Sequence, residues 1–243
     1  MKPEKQAPGA LEPRAPAAPT FRFGRMIDLS RPMVPGEQPH PWIHFEARIE
    51  SIVANPADAP PEGRWYVVTQ LSLSGHAGTH VEAPLHAIEG GASIGDLAVE
   101  RFFGEAVVLD LSDIAWSTPF DLACLQRVAA TAGGIMPGDI VLIRFDWDRR
   151  SSEGDYPPYP TPDALRWLVD QGIKLLGIDS PGLELRGNCG LVNHHILFGA
   201  GIPLIESLAR LDELAQPRVY VFAQPLLAHG TDSIPLRVLA FEA

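Results

Sequence analysis

The sequence holds only two cysteines, Cys124 and Cys189, among 243 residues. That is too few for a disulfide framework and predicts reduced, packed thiols in a cytoplasmic protein. Basic residues are also scarce: 19 Lys and Arg stand against 30 Asp and Glu, a net charge of −11. A chain so acidic repels phosphate backbones, which excludes an electrostatic nucleic-acid binder. No basic run of the kind that docks on an anionic membrane is present, and no apolar stretch approaches the about 20 residues of a membrane span. The opening "MKPEKQAPGALEPRAPAAPT" has prolines at 3, 8, 13, 16 and 19 and no apolar segment of a secretory leader. It predicts a flexible, partly polyproline-like tail over residues 1–20, with the folded domain over 21–243.

What the chain does have is 46% hydrophobic residues, enough for a sizeable core. "RMIDLSRPM" reads as a short strand ending at Pro32, and an extended piece is expected around Ile43–Ile52. "RWYVVTQLSL", "EAVVLDLS", "GDIVLIRF", "IKLLGID", "IPLIE", "RVYVFA" and "LRVLAF" read as further strands. Thr118, Pro119 and Asp121 predict a helix start with Pro119 in the first turn, closed by Gly133 and Gly134. Asp148 to Tyr159 reads as a polar, aromatic loop. Thr161 and Pro162 open a second helix with Leu165, Leu168 and Val169 on its inner face, ended by Gly172. "VNHHILFGAG" has the length of a short helix. Strands alternate with helices, but several strands lack a helix between them, which predicts an α/β fold with a mixed sheet.

Three of the eight histidines fall in "HAGTHVEAPLH", residues His76 to His86. His76, His80, Glu82 and His86 sit at even offsets, so an extended backbone would point all four one way. A helix would align His76 with His80 and send Glu82 round the cylinder. β-Branched Thr79 and Val81 favour the strand, and Pro84 marks where regular pairing ends. The expectation is a short strand running into a loop that carries His86. Scattered surface imidazoles are the plain alternative. Imidazole and carboxylate together are the ligand set of Zn²⁺, Mn²⁺ or Fe²⁺, and a catalytic site needs more than one strand's residues. His194, His195 and Glu206, which bracket the apolar run "ILFGAGIPLI", are the candidates to complete it.

"HAGTHVEAPLH" resembles the signature His-x-Gly-Thr-His-x-Asp-x-Pro-x-His of the cyclase-like metal-dependent hydrolases, the family of bacterial kynurenine formamidase and isatin hydrolase. The similarity continues in order through "MIDLSRPMVPGEQP", "VVLDLS", "GDIVLIRFDWDRR", "LLGIDSPGLE", "HHILFGAGIPLIESLARL" and "SIPLRVLAFEA", from Met26 to the C-terminus. The resemblance implies a single α/β domain of the swivelling type, a mixed sheet or partly closed barrel flanked by helices. It implies His76, His80, Glu82, His194 and Glu206 as ligands of one or two divalent cations, Zn²⁺ or Mn²⁺, with Glu82 bridging. His86 matches the catalytic proton donor and acceptor, and His195 receives no role. The implied reaction is hydrolysis of a formamide or cyclic amide by a metal-activated hydroxide, with His86 shuttling the proton. A lactone or ester hydrolase and a non-catalytic metal-binding protein remain as alternatives. The implied partners are a small-molecule substrate and further copies of the chain, as a homodimer or homotetramer.

Three positions depart from the family pattern. Its usual Asp is Glu82 here, one methylene longer, and "DSPGLE" has Glu184 where Asp is expected. The family's substrate-packing tryptophan, just before Pro-Gly in the opening motif, is Val34. Trp42, Trp65 and Trp147 are the candidates for an aromatic wall in its place.

Overall fold

In chain order the computed structural model has strands β1 (Arg25–Asp28), β2 (Phe45–Ser51), β3 (Val67–Leu73), β4 (His80–Glu82), β5 (Phe103–Asp110) and β6 (Pro119–Phe120). Helix α1 (Leu122–Thr131), β7 (Ile140–Arg144), the single turn α2 (Trp147–Arg150), β8 (Tyr159–Pro160), α3 (Pro162–Asp170) and β9 (Leu175–Ile178) follow. The chain ends with α4 (Val192–Gly199), β10 (Leu204–Glu206), β11 (Arg218–Phe222), β12 (Ser233–Pro235) and β13 (Leu239–Glu242). The structure describes residues 24–37, 43–51, 67–152, 155–184 and 190–242. The proline-rich start, Trp42, Trp65 and Cys189 lie outside these.

A nine-stranded sheet in the order β1-β13-β11-β5-β7-β9-β10-β4-β12 curls into a half-barrel. Its centre, β5-β7-β9-β10, is parallel, and strands on both flanks pair antiparallel. The mixed sheet expected from the strand and helix pattern is therefore present in one domain. Alternation in β7 shows how it is filled: Val141 and Ile143 pack in one apolar layer with α1, α3 and α4, whereas Ile140 and Leu142 pack in the other. β2 and β3 form a separate antiparallel ribbon immediately before the histidine motif. Among the described residues no helix is long and apolar enough to cross a membrane.

Two local expectations fail for long-range reasons. Pro119 does not start α1. Pro119 and Phe120 pair in parallel with Tyr159 and Pro160, and Asp121 caps the helix by accepting the Cys124 N–H at 2.8 Å. The segment read as a loop from Asp148 begins inside α2, which Asp146 enters at φ 59°. Trp147 there is 8% exposed and stacks edge-on against Trp116 at 5.2 Å, so it belongs to the core and not to an aromatic wall. α3 starts after Thr161 as expected, burying Leu165 and Leu168, with Val169 partly buried against the same layer.

Candidate metal centre

The site sits on the helix-bearing face of the sheet, where β4 lies between β10 and β12. Register places His80 opposite Glu206 and Glu82 opposite Leu204. Directly opposed residues point to one face. Val81 and Ile205 turn to the other layer, and so His80, Glu82 and Glu206 all point toward α4. All three are buried, at 3%, 2% and 5% exposure.

His76 reaches the same place from outside the strand. The extended segment begins only at His80, because residues 75–79 form a turn with Gly78 at φ 61°. A Cβ on Gly78 would come within 2.8 Å of the Met33 side chain, so the position suits glycine on both counts. The expectation of a strand through all four residues is thus corrected for His76, although the four do converge. Thr79 fastens the turn: its hydroxyl donates to the Ser207 carbonyl at 2.6 Å and accepts the Arg31 N–H at 2.8 Å. After β4, Pro84 opens a short 3₁₀ turn whose last residue is His86, which the Ala83 carbonyl holds by its N–H at 2.9 Å.

His194 enters from α4. The helix begins after Leu191 with no side-chain cap of its own. Glu184 supplies one, accepting the N–H groups of Asn193 and His194 at 2.6 and 3.0 Å, and it also meets His194 Nδ1 at 3.1 Å. A carboxylate at a helix N-terminus is stabilised by the same orphan amides. The position noted for its longer side chain thus has a definite task in aiming His194. His195, one residue on, is exposed.

All six predicted residues therefore meet. His76 Nδ1 lies 2.8 Å from Glu82 Oε1, His80 Nε2 lies 3.5 Å from the same oxygen, and His86 Nε2 lies 3.8 Å from it. His194 Nε2 is 3.5 Å from Glu82 Oε2 and 3.8 Å from Glu206 Oε1, and His80 Nε2 is 3.7 Å from Glu206 Oε2. Glu82 is the hub, with one oxygen toward His76, His80 and His86 and the other toward His194. Asp232 was not visible from sequence. Its Oδ2 lies 3.1 Å from His76 Nε2 and 3.0 Å from His86 Nδ1.

Electrostatics favours a cation here. Burial works against charge on His194, but Glu184, Glu206 and Glu82 overcome it and push its pKa up to about 11. For His76 burial is likewise outweighed, by Glu82 and Asp232, giving a pKa of about 9. His80 is raised too, burial being offset by Glu82 and Glu206. Burial would lift the Glu82 carboxyl, yet the surrounding imidazoles of His194, His76 and His80 hold it well below the ordinary carboxylate value. A nest that draws protons this strongly is one whose negative charge a divalent cation can compensate instead.

The donor set fits such a cation. His76, His80 and His194 each satisfy one ring nitrogen outward, on Asp232, the Gly78 carbonyl and Glu184, and aim the other at Glu82 or Glu206. That is the arrangement by which outer partners orient metal-ligating imidazoles. Glu82 Oε2 is buried and accepts no hydrogen bond, an orphan that a cation would satisfy. Among the described residues, ligating atoms fall within 4.8 Å of one another in three groups: His76, His80 and Glu82; Glu82, His86 and His194; and His76, His86 and Asp232.

The Cyclase family model matches residues 27–185, which span both the histidine motif and Glu184. The chain belongs to the Cyclase family. Kynurenine formamidase of Salinibacter ruber is 33% identical over 180 residues, covering 71% of this chain and 79% of that one. Isatin hydrolase A from Labrenzia aggregata, solved with benzyl benzoate bound, superposes with a TM-score of 0.73 at 28% identity and covers 90% of this chain and 93% of its own. A second solved relative, described as a potential metal-dependent hydrolase with cyclase activity, superposes with a TM-score of 0.71 at 26% identity, covering 90% and 98%. Cyclase-family members thus share the half-barrel that carries the cluster.

Proposed function

We propose that this chain is a metal-dependent hydrolase of a carbon–nitrogen amide bond, either a formamide or a cyclic amide. The observation that carries the reading is the inward convergence of imidazoles held by outer partners on a buried carboxylate with an orphan oxygen. Relatives named kynurenine formamidase and isatin hydrolase support the bond class. In this reading His76, His80, Glu82, His194 and Glu206 hold one or two divalent cations, Zn²⁺ or Mn²⁺. Such a cation supplies Lewis acidity toward a carbonyl oxygen and acidifies water.

His86 does the proton work. Its Nδ1 faces Asp232, which leaves Nε2 turned to the interior to take a proton from water and return it to the leaving nitrogen. Phe198 stands edge-on to the rings of His86 and His194 at 6.2 and 5.6 Å and shields that side from solvent. The candidate substrate space lies against Ala77 and Gly78, the residues that follow His76. A cavity of about 450 Å³ is lined by Arg31, Met33, Val34, Phe45, Ala77 and Gly78, with further residues. Its size and mainly apolar wall suit a small aromatic amide. Val34 contributes there in place of the family's tryptophan. A homodimer or homotetramer in the cytoplasm completes the proposal.

The test is an assay of formanilides, cyclic amides and lactones before and after dialysis against a strong chelator. Amide hydrolysis should vanish on dialysis and return with Zn²⁺ or Mn²⁺. Full activity in protein shown by elemental analysis to be metal-free would overturn the metal reading. Turnover of lactones with no amide cleaved would overturn the carbon–nitrogen reading.

A further inference from the structure

Asp232 stands 146 residues beyond His86 in sequence, outside every motif discussed above. Its position is nonetheless fixed by the sheet. It immediately precedes β12, which pairs with β4 so that Ser233 opposes Glu82. The Asp232 carbonyl accepts the Ala83 N–H at 2.7 Å. The residue is therefore tied to the same strand that carries His80 and Glu82.

One oxygen, Asp232 Oδ2, touches both His76 Nε2 and His86 Nδ1, at 3.1 and 3.0 Å. The two rings lie 4.7 Å apart, tilted by 59°. Their other nitrogens, His76 Nδ1 and His86 Nε2, both turn toward Glu82 Oε1, at 2.8 and 3.8 Å. A carboxylate can only accept, and a neutral imidazole has one N–H to give. For His86 the donor to Asp232 is then Nδ1, and Nε2, at 3.8 Å from Glu82 beyond hydrogen-bond reach, keeps its lone pair facing the site. His76 is held at both ends, by Asp232 at Nε2 and by Glu82 and His80 at Nδ1, so Asp232 alone does not set its tautomer.

We infer that Asp232 is a positioning residue that sets the tautomer of His86, giving it a basic Nε2 on the side that faces the site. The inference deepens the hydrolase reading, on which the duty of His86 rests. The tautomer itself exists without substrate. A surface ion pair would also bring Asp232, with its side chain 44% exposed, beside these rings. Such a pair would leave the tautomer indifferent to whether residue 232 can accept.

Zinc-loaded protein with isotope-labelled imidazole nitrogens, read by NMR, decides between them. In the parent His86 should carry its proton on Nδ1. Asp232→Leu removes the acceptor and should release that proton to Nε2. At saturating zinc, kcat should fall on the order of 10²-fold with KM little changed. Asp232→Glu, which keeps an acceptor, should retain the Nδ1–H form. An Nε2–H His86 in the parent would overturn the inference even if the Leu variant failed to fold. So would a Leu variant with both tautomer and kcat of the parent. If no amide is cleaved by any form, the hydrolase reading fails while the tautomer result stands on its own.

Discussion

His86→Ala is expected to keep near-parental metal content and to lose about 10²–10⁴ in turnover. The expectation follows from where the two ring nitrogens go. Nδ1 is engaged by Asp232, and Nε2 is 3.8 Å from Glu82 Oε1, farther than the corresponding nitrogens of His76 and His80. Removing the ring leaves His76, His80, Glu82, His194 and Glu206 with their mutual contacts intact. What is lost is the group that can carry a proton between water and the leaving nitrogen. His86 also belongs to a potential ligand group with Glu82 and His194. Metal analysis beside kinetics therefore discriminates. Metal lost in proportion to activity would make His86 a ligand.

Glu82→Gln is expected to have the largest effect on metal. Glu82 is the one side chain that faces His76, His80, His86 and His194 together, and it is 2% exposed. Gln is close in shape but removes the negative charge from the centre of the nest and turns one acceptor into a donor. Affinity should fall by more than the about 10–100-fold that loss of an outer partner costs. Metal-free protein should suffer as well, since His76 and His194, raised to about 9 and 11, then lose their shared counter-charge. The sign of the pH effect follows from the depressed carboxyl. In the metal-free parent its stabilisation is present above about pH 4.5 and is lost as pH falls through the lower folded value. Glu82→Gln should abolish that acid-side dependence. Isothermal titration with Zn²⁺ and thermal unfolding across pH read both effects, and a variant that bound metal as tightly as the parent would remove Glu82 from the centre of the account.

Much of this site is legible in the sequence because β-strands impose simple rules. Even spacing puts His80 and Glu82 on one face, Pro84 ends the pairing, and "IPLIE" supplies Glu206 on the neighbouring strand. The same spacing misleads for His76. It arrives through a turn made possible by Gly78, a backbone feature that side-chain periodicity does not encode. Asp232 illustrates a harder limit. Only the antiparallel pairing of β12 with β4 brings it to His86, and nothing in the local text "HGTDSIP" announces that partner. Pro119 failed as a helix start for a related reason. Its local signal is a good one, but the distant pairing with Tyr159 takes precedence.

Glu184 lies between these cases. Its position was noticeable as a departure from the family pattern, whereas its work, capping α4 and holding His194 Nδ1, appears only once the helix is placed against the β9 loop. The longer carboxylates at 82 and 184 both contact His194, at 3.5 and 3.1 Å. The two departures therefore meet on one imidazole.

The most direct test of the metal centre is anomalous diffraction from crystals of the Zn²⁺- or Mn²⁺-loaded protein. The account predicts a cation among His76, His80 and Glu82, at about 2.0–2.2 Å from ligating nitrogens and oxygens for zinc, with any second ion beside Glu82, His194 and Glu206. A cation seated instead in the outer group of His76, His86 and Asp232, or none bound by any of these residues, would contradict it.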